Sequence, residues 1–141
     1  MTTHDKLLLL PALVHVGLVF LLVFATGMGR VAAAKRGRVR LADVALDSSK
    51  WPDDLRKRAN NYQNQFELPV LFYALIAFLL ATHMADAVQI ILAWLFLLCR
   101  LVHSYIHVGK NVVVDRFYAF LASVLTLLAM WMWFALRLLL S

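Results

Sequence analysis

Two rows of polar side chains carry the residue types in this chain that could do chemistry. In the first row, Asn60, Asn64 and Glu67 follow one another at intervals of four and three residues, so they share one face of a helix. Side-chain amides and a carboxylate can hold the N–H and ammonium groups of a ligand. A buried carboxylate is costly unless a cation lies beside it, so Glu67 is expected to pair with a basic side chain. The candidates for that pairing are Arg30, Arg100 and Arg116.

The second row begins at Arg100 and continues with His103 and His107. The intervals of three and four residues again place the three side chains on one helix face. Arg116 follows near the start of the next apolar run, and arginines bind anions through charge-assisted hydrogen bonds. The two histidines could share a metal ion, but His83 is expected at the other end of the molecule, so we predict no metal site.

The elements that must position these rows are membrane helices. Four apolar runs predict spans at about residues 7–28, 52–82, 86–108 and 115–140, each long enough to cross a bilayer. The chain is 63% hydrophobic and 16% charged, whereas about 25% charged residues is usual in soluble domains. We therefore predict a single all-α domain over residues 1–141, an integral membrane four-helix bundle with no separate soluble domain. Pro69 predicts a kink in the second span near residues 65–69.

The distribution of basic residues predicts the orientation. Cytoplasmic loops collect Lys and Arg, and the region between the first two spans holds nine of the 14 in the chain. Both termini are therefore expected outside and the first and third loops in the cytoplasm. A basic region between membrane helices argues against a nucleic-acid partner. The nine residues are Arg30, Lys35, Arg36, Arg38, Arg40, Lys50, Arg56, Lys57 and Arg58.

Both polar rows lie at the cytoplasmic ends of their predicted helices. Polar side chains at membrane depth favour a face toward the bundle or a wet cavity, and the rows predict a pocket that opens toward the cytoplasm. The alternative is a purely structural role, in which the same side chains only hold the helices together. His15 lies in the middle of the first span and is expected to be a buried histidine with satisfied hydrogen bonds.

The chain resembles the MAPEG family, the membrane-associated proteins in eicosanoid and glutathione metabolism, in its bacterial members. The size, the four spans, the basic first loop and the orientation are similar. The second span carries the family's Asn-x-x-Glu pattern as Asn64 to Glu67, shortly before Pro69. The segment 100–110 followed by Arg116, and the segment 27–30 that ends in Arg30, also resemble family motifs.

The resemblance implies a homotrimer in the bacterial inner membrane that holds glutathione between neighbouring subunits near the cytoplasmic face. Arg116 would stabilise the glutathione thiolate, because a nearby guanidinium lowers the pKa of a thiol. The sequence departs from the family at Asn60, where catalytic members have arginine, and at His107, where a tyrosine is found. The implied glutathione-binding residues are Arg30, Asn64, Glu67, Arg100, His103 and His107.

Two classes of function stay open at this point. The first is a glutathione-dependent transferase or peroxidase that acts on lipophilic electrophiles. The second is a non-catalytic membrane protein of the same fold that binds a lipid or a small anionic metabolite. A small multidrug transporter is disfavoured because its first span needs a carboxylate, and the run 7–28 has none.

Overall fold

The computed structural model describes residues 1–140 and is built from helices, with no strand in that range. One short 3₁₀ helix, Ser48–Lys50, lies in the first connection. The α-helices are α1 (Thr3–Lys35), α2 (Leu41–Val44), α3 (Asp53–Asn64), α4 (Leu68–Ala81), α5 (Ala87–Val108) and α6 (Val113–Leu140).

Four helical segments are long and apolar enough to cross a membrane: Thr3–Lys35, Asp53–Ala81, Ala87–Val108 and Val113–Leu140. These segments match the predicted spans closely, but α1 is longer than residues 7–28. It begins at a capping box in which Thr2 and Asp5 bond each other's backbone N–H groups, and it ends at Lys35. The first connection is therefore shorter than the gap that the predicted spans leave between residues 28 and 52.

The second span is broken between residues 64 and 68, which confirms the kink predicted near residues 65–69. Helix α3 ends at Asn64 and α4 begins at Leu68, with Glu67 at φ −93° and ψ −98° between them. Proline at the second position of α4 has no N–H group to donate to the preceding turn, which favours this break. The break lies beside the second half of α5 and sets the directions of the polar side chains around it.

The apolar core occupies the half of the bundle away from the basic first connection. The rings of Phe72 and Phe96 stack with centroids 4.5 Å apart, and both side chains are fully buried. Close packing of this kind holds membrane helices together. Lipid tails are as apolar as the side chains, so the hydrophobic effect gives no driving force between helices and van der Waals contact must supply it. The fully buried members of this core are Leu8, Phe72, Leu75, Ala93, Phe96 and Met130.

The connection between α4 and α5 is fastened to α6 by one carboxylate. Asp86 caps α5 by accepting from the Gln89 N–H at 2.8 Å, and it also accepts from Trp133 at 2.9 Å and Arg137 at 2.6 Å. Burial favours the neutral carboxyl, but these hydrogen bonds and the Arg137 charge outweigh it and hold the pKa of Asp86 below its ordinary value. Arg137 also donates to the Met84 carbonyl at 2.9 Å.

Candidate functional site

A polar cavity of about 420 Å³ opens where α3, α4, α5 and α6 meet, near the basic connection. It brings together five residues that the sequence predicted as a site, and Asn60 joins them. Its apolar wall consists of Val113, Phe117 and Phe120, which sequence reasoning missed because they look like ordinary members of an apolar membrane run. The predicted residues that line the cavity are Asn64, Glu67, His103, His107 and Arg116.

Arg116 lies in the first turn of α6, half-buried at the cavity wall. One guanidinium nitrogen, Nη1, donates to Asn111 Oδ1 at 2.6 Å. Asn111 adopts a left-handed backbone conformation, with φ at 53°, in the tight connection between α5 and α6. Within residues 1–140 no carboxylate lies within 4.0 Å of Arg116, so its charge is available to an anion in the cavity.

The two histidines present different hydrogen-bonding atoms. His103 Nδ1 lies 3.2 Å from the Arg116 carbonyl oxygen, which can only accept, so the ring proton is on Nδ1. His103 Nε2 then carries a lone pair, and it is buried with no partner in the described chain. His107 Nδ1 accepts from Asn64 Nδ2 at 3.4 Å. No group of three or more His, Cys, Asp and Glu residues that could hold a metal is found in residues 1–140.

Glu67 does not form the expected pair with an arginine. It lies exposed in the break between α3 and α4, and no basic group of the described residues comes within 4.0 Å of its carboxylate. Arg100 is close enough to feel its charge, but the Arg100 guanidinium is turned toward other acceptors. The prediction was wrong within one chain, because Arg100 is bonded to other acceptors, Arg30 lines another cavity, and Arg116 shares the cavity without reaching the carboxylate.

Arg100 lies behind the cavity rather than in its wall. Its side chain is 0% exposed, and Nη2 donates to the Asn64 carbonyl at 3.0 Å and to Gln65 Oε1 at 2.9 Å. Asn64 is the last residue of α3, where carbonyls lack partners within the helix. Arg100 therefore holds the end of α3 in place, which is a positioning role and not the ligand contact that the sequence predicted.

A buried hydrogen-bond network extends from Arg100 to α1. Gln65 Oε1 also accepts from His15 Nε2 at 3.1 Å, while His15 Nδ1 lies 2.6 Å from the Tyr73 hydroxyl. His15 is fully buried, which confirms the expectation of a histidine with satisfied hydrogen bonds. Gln65 Nε2 donates onward to Asn61 Oδ1 at 3.0 Å and to Ser104 Oγ at 3.2 Å. In the sequence, this network could have been found from the four-residue interval between Asn61 and Gln65.

Arg30 is the one predicted site residue that lies on another side of the bundle from the polar cavity. It lines a separate cavity of about 520 Å³ between α1 and α3, together with Tyr62, Gln63 and Phe66. Its guanidinium carbon is 5.1 Å from the centre of the Trp51 ring, and its Nε is buried without a hydrogen-bond partner in the described chain. Within one chain, Arg30 and Arg116 therefore belong to different cavities.

Comparison with known proteins places the chain in a family but gives no individual relative. A family model described as the MAPEG family matches residues 8–136, which is nearly the whole chain. No curated protein and no solved structure matches it.

Proposed function

The chain belongs to the MAPEG family, and we propose that it binds glutathione at the cavity near the basic connection and transfers it to lipophilic electrophiles. The observation that carries this proposal is the cavity itself. It gathers an unpaired arginine, an unpaired carboxylate and a buried imidazole nitrogen with a free lone pair at one end of four membrane-spanning segments. Groups left unpaired at such a site suit a ligand that supplies the partners.

The residues of the cavity suit the functional groups of glutathione. Glu67 is free to accept the ammonium group, and Asn64 and Asn60 offer amides for the peptide groups. His103 Nε2 is a buried acceptor for a ligand N–H or S–H. Arg116 supplies the positive charge, and its fork of N–H donors suits a thiolate or a carboxylate.

The proposed chemistry uses glutathione as the sulfur nucleophile. The thiolate is the reactive form, and Arg116 would raise the thiolate fraction at neutral pH by favouring the charged sulfur. Phe117 and Phe120 would hold an apolar electrophile beside it and keep water away. With an aromatic halide, the sulfur bonds to the ring carbon, the halide ion leaves, and the thiol proton goes to solvent.

One chain does not supply enough positive charge for this ligand. The cavity holds one arginine and one carboxylate, which balance each other, whereas glutathione carries two carboxylates and a thiolate against one ammonium group. Arg100 is buried behind the cavity and bonded to the Asn64 carbonyl and Gln65, and Arg30, the other arginine of the predicted set, faces the other way within its own chain. We propose that a homotrimer places Arg30 of one copy beside the cavity of the next, and a native-detergent mass measurement tests this.

We propose that the protein lies in a bacterial inner membrane with both termini outside. The basic connection between α1 and α3 is the basis, since basic loops stay in the cytoplasm. The cavity would then open on the cytoplasmic side, where glutathione is made. Reporter fusions at the C-terminus and near Arg38 should report opposite sides, and a cytoplasmic C-terminus would move the cavity to the wrong face.

Conjugation of glutathione to a generic aromatic halide tests the enzyme proposal. Purified wild-type protein in detergent should raise the rate above that of micelles alone, followed by the absorbance of the product. A rate equal to background would leave the second candidate, a non-catalytic protein that binds a small anionic metabolite or a lipid. Asn60 and His107 favour that candidate, because they replace the arginine and tyrosine of the family's catalytic members.

A further inference from the structure

A second concave surface lies on another face of the bundle, between α1 and α5. The groove has a volume of about 460 Å³ and is almost entirely apolar. Leu21, on its α1 wall, is 65% exposed, and Leu101 stands across from it on α5. Asn61 and Ser104 form its floor, but they bond to each other at 3.2 Å and present little free polar surface.

The groove has one basic end. Arg58 of α3 lines it, half-buried, and forms no hydrogen bond and no ion pair within 4.0 Å in the part of the chain that the structure describes. Asp54, one turn earlier on the same helix, already pairs with Arg38 at 3.0 Å. The lining contains no acidic residue. Asp54 is near enough to feel the charge of Arg58, but it is bonded to Arg38, so an anion at Arg58 would meet a guanidinium with no carboxylate within 4.0 Å.

The order of residues along the groove matches the order of groups in a lipid. Helices α1 and α5 both run toward the basic connection, so Leu18 and Leu101 lie deeper in the membrane than Ala25 and Val108. Tyr105 is 83% exposed near the basic end, where aromatic hydroxyl groups suit the membrane surface. Apolar wall, tyrosine and arginine follow one another from the centre of the bilayer outward.

We propose that this groove is a specific site for an anionic phospholipid, with one acyl chain along α1 and α5 and the phosphate group on Arg58. A guanidinium binds phosphate oxygens in a bidentate way, and the lining offers no carboxylate to a head-group cation, so an anionic head group is favoured over a zwitterionic one. The site lies on a different face from the glutathione cavity and does not depend on it.

Photo-crosslinking in nanodiscs tests the site. The probe is phosphatidylglycerol with a diazirine on one acyl chain, diluted in phosphatidylcholine, and the adducts are mapped by mass spectrometry. Adducts should concentrate on residues 18–25 and 101–108. The same diazirine chain on a phosphatidylcholine head group should label these segments about fivefold less, because the choline cation cancels the net negative charge that Arg58 would attract at the membrane surface.

Two variants and a matched control separate the groove from general surface charge. Arg58→Gln should reduce the phosphatidylglycerol adducts about fivefold. Leu21→Trp, at an exposed position, should reduce adducts from both lipids by filling the groove. The matched control is Arg56→Gln. Arg56 lies two residues from Arg58, outside the groove lining, and forms an exposed ion pair with Asp53, so this variant should leave the labelling pattern unchanged.

Three results would overturn the proposal. The first is equal labelling of the groove by the two head groups. The second is adducts spread evenly over the outward faces of α4 and α6. The third is equal loss in Arg56→Gln and Arg58→Gln, which would assign the effect to the net charge of the connection.

Discussion

The two ends of the bundle use the same kinds of charged side chain in opposite ways. At the end away from the basic connection, Asp86 accepts three hydrogen bonds and Arg137 donates to that carboxylate and to a backbone carbonyl. At the other end, Glu67 and Arg116 line one cavity and form no ion pair within the described chain. One end, the closed end, pairs its charges with its own residues, and the other, the open end, leaves its charges unpaired within the described chain.

This difference separates structure from function in a chain where polar residues are few. A satisfied carboxylate–arginine pair joins two elements and needs nothing else. Unpaired charges at membrane depth are expensive, so a fold keeps them only where something binds or water enters. Arg100 is intermediate, because it is fully buried and bonded through Nη2 while its Nε and Nη1 have no partner in residues 1–140.

The largest effect is expected at the open end. Arg116→Ala should lower glutathione conjugation by a factor of about 10² or more, because it removes the cation proposed to stabilise the thiolate. The thermal midpoint should hardly move, since Arg116 is half-buried near a helix end and bonds only Asn111. Unchanged turnover would reassign the thiolate partner to His107, the other cavity residue whose ring could act on the sulfur.

The next effect concerns the network that supports the cavity. Gln65→Leu should lower the free energy of unfolding by about 2–3 kcal/mol, because it leaves Arg100, His15 and Asn61 without a shared partner. Thermal unfolding in detergent measures the change. The control is Gln63→Leu, two residues earlier in the last turn of α3, which is exposed and should stay within about 0.5 kcal/mol of wild type. Equal losses would show that the network contributes little.

The smallest effect is expected at the closed end. Asp86→Asn should cost about 1 kcal/mol of stability through weaker bonds to Trp133 and Arg137, with conjugation unchanged. Because the folded pKa of Asp86 lies below its ordinary value, the stability from its charge is present above the ordinary pKa. It is lost as the pH falls through the folded pKa. Thermal midpoints in acidic buffers should therefore fall more steeply for wild type than for the variant.

The sequence predicts the helices of this protein better than the contacts between side chains. Apolar length gives the four spans, and Pro69 gives the break. The shared end of two polar rows predicts that Asn64, His103 and Arg116 meet. The rotation of Arg100 away from Glu67 was not predictable, because it depends on competing acceptors on a helix end that only the fold brings near. Arg30 lies elsewhere for a similar reason, since spacing does not fix the rotation of α1.

A calorimetric titration of glutathione into the purified protein in detergent tests most directly whether the open end binds the ligand. We expect saturable binding to wild type, at least about tenfold weaker binding to Arg116→Ala, and unchanged binding to Arg137→Ala. That contrast would assign ligand binding to the open end and structure to the closed end. Absence of binding to wild type at millimolar glutathione, or equal weakening in the two variants, would contradict it.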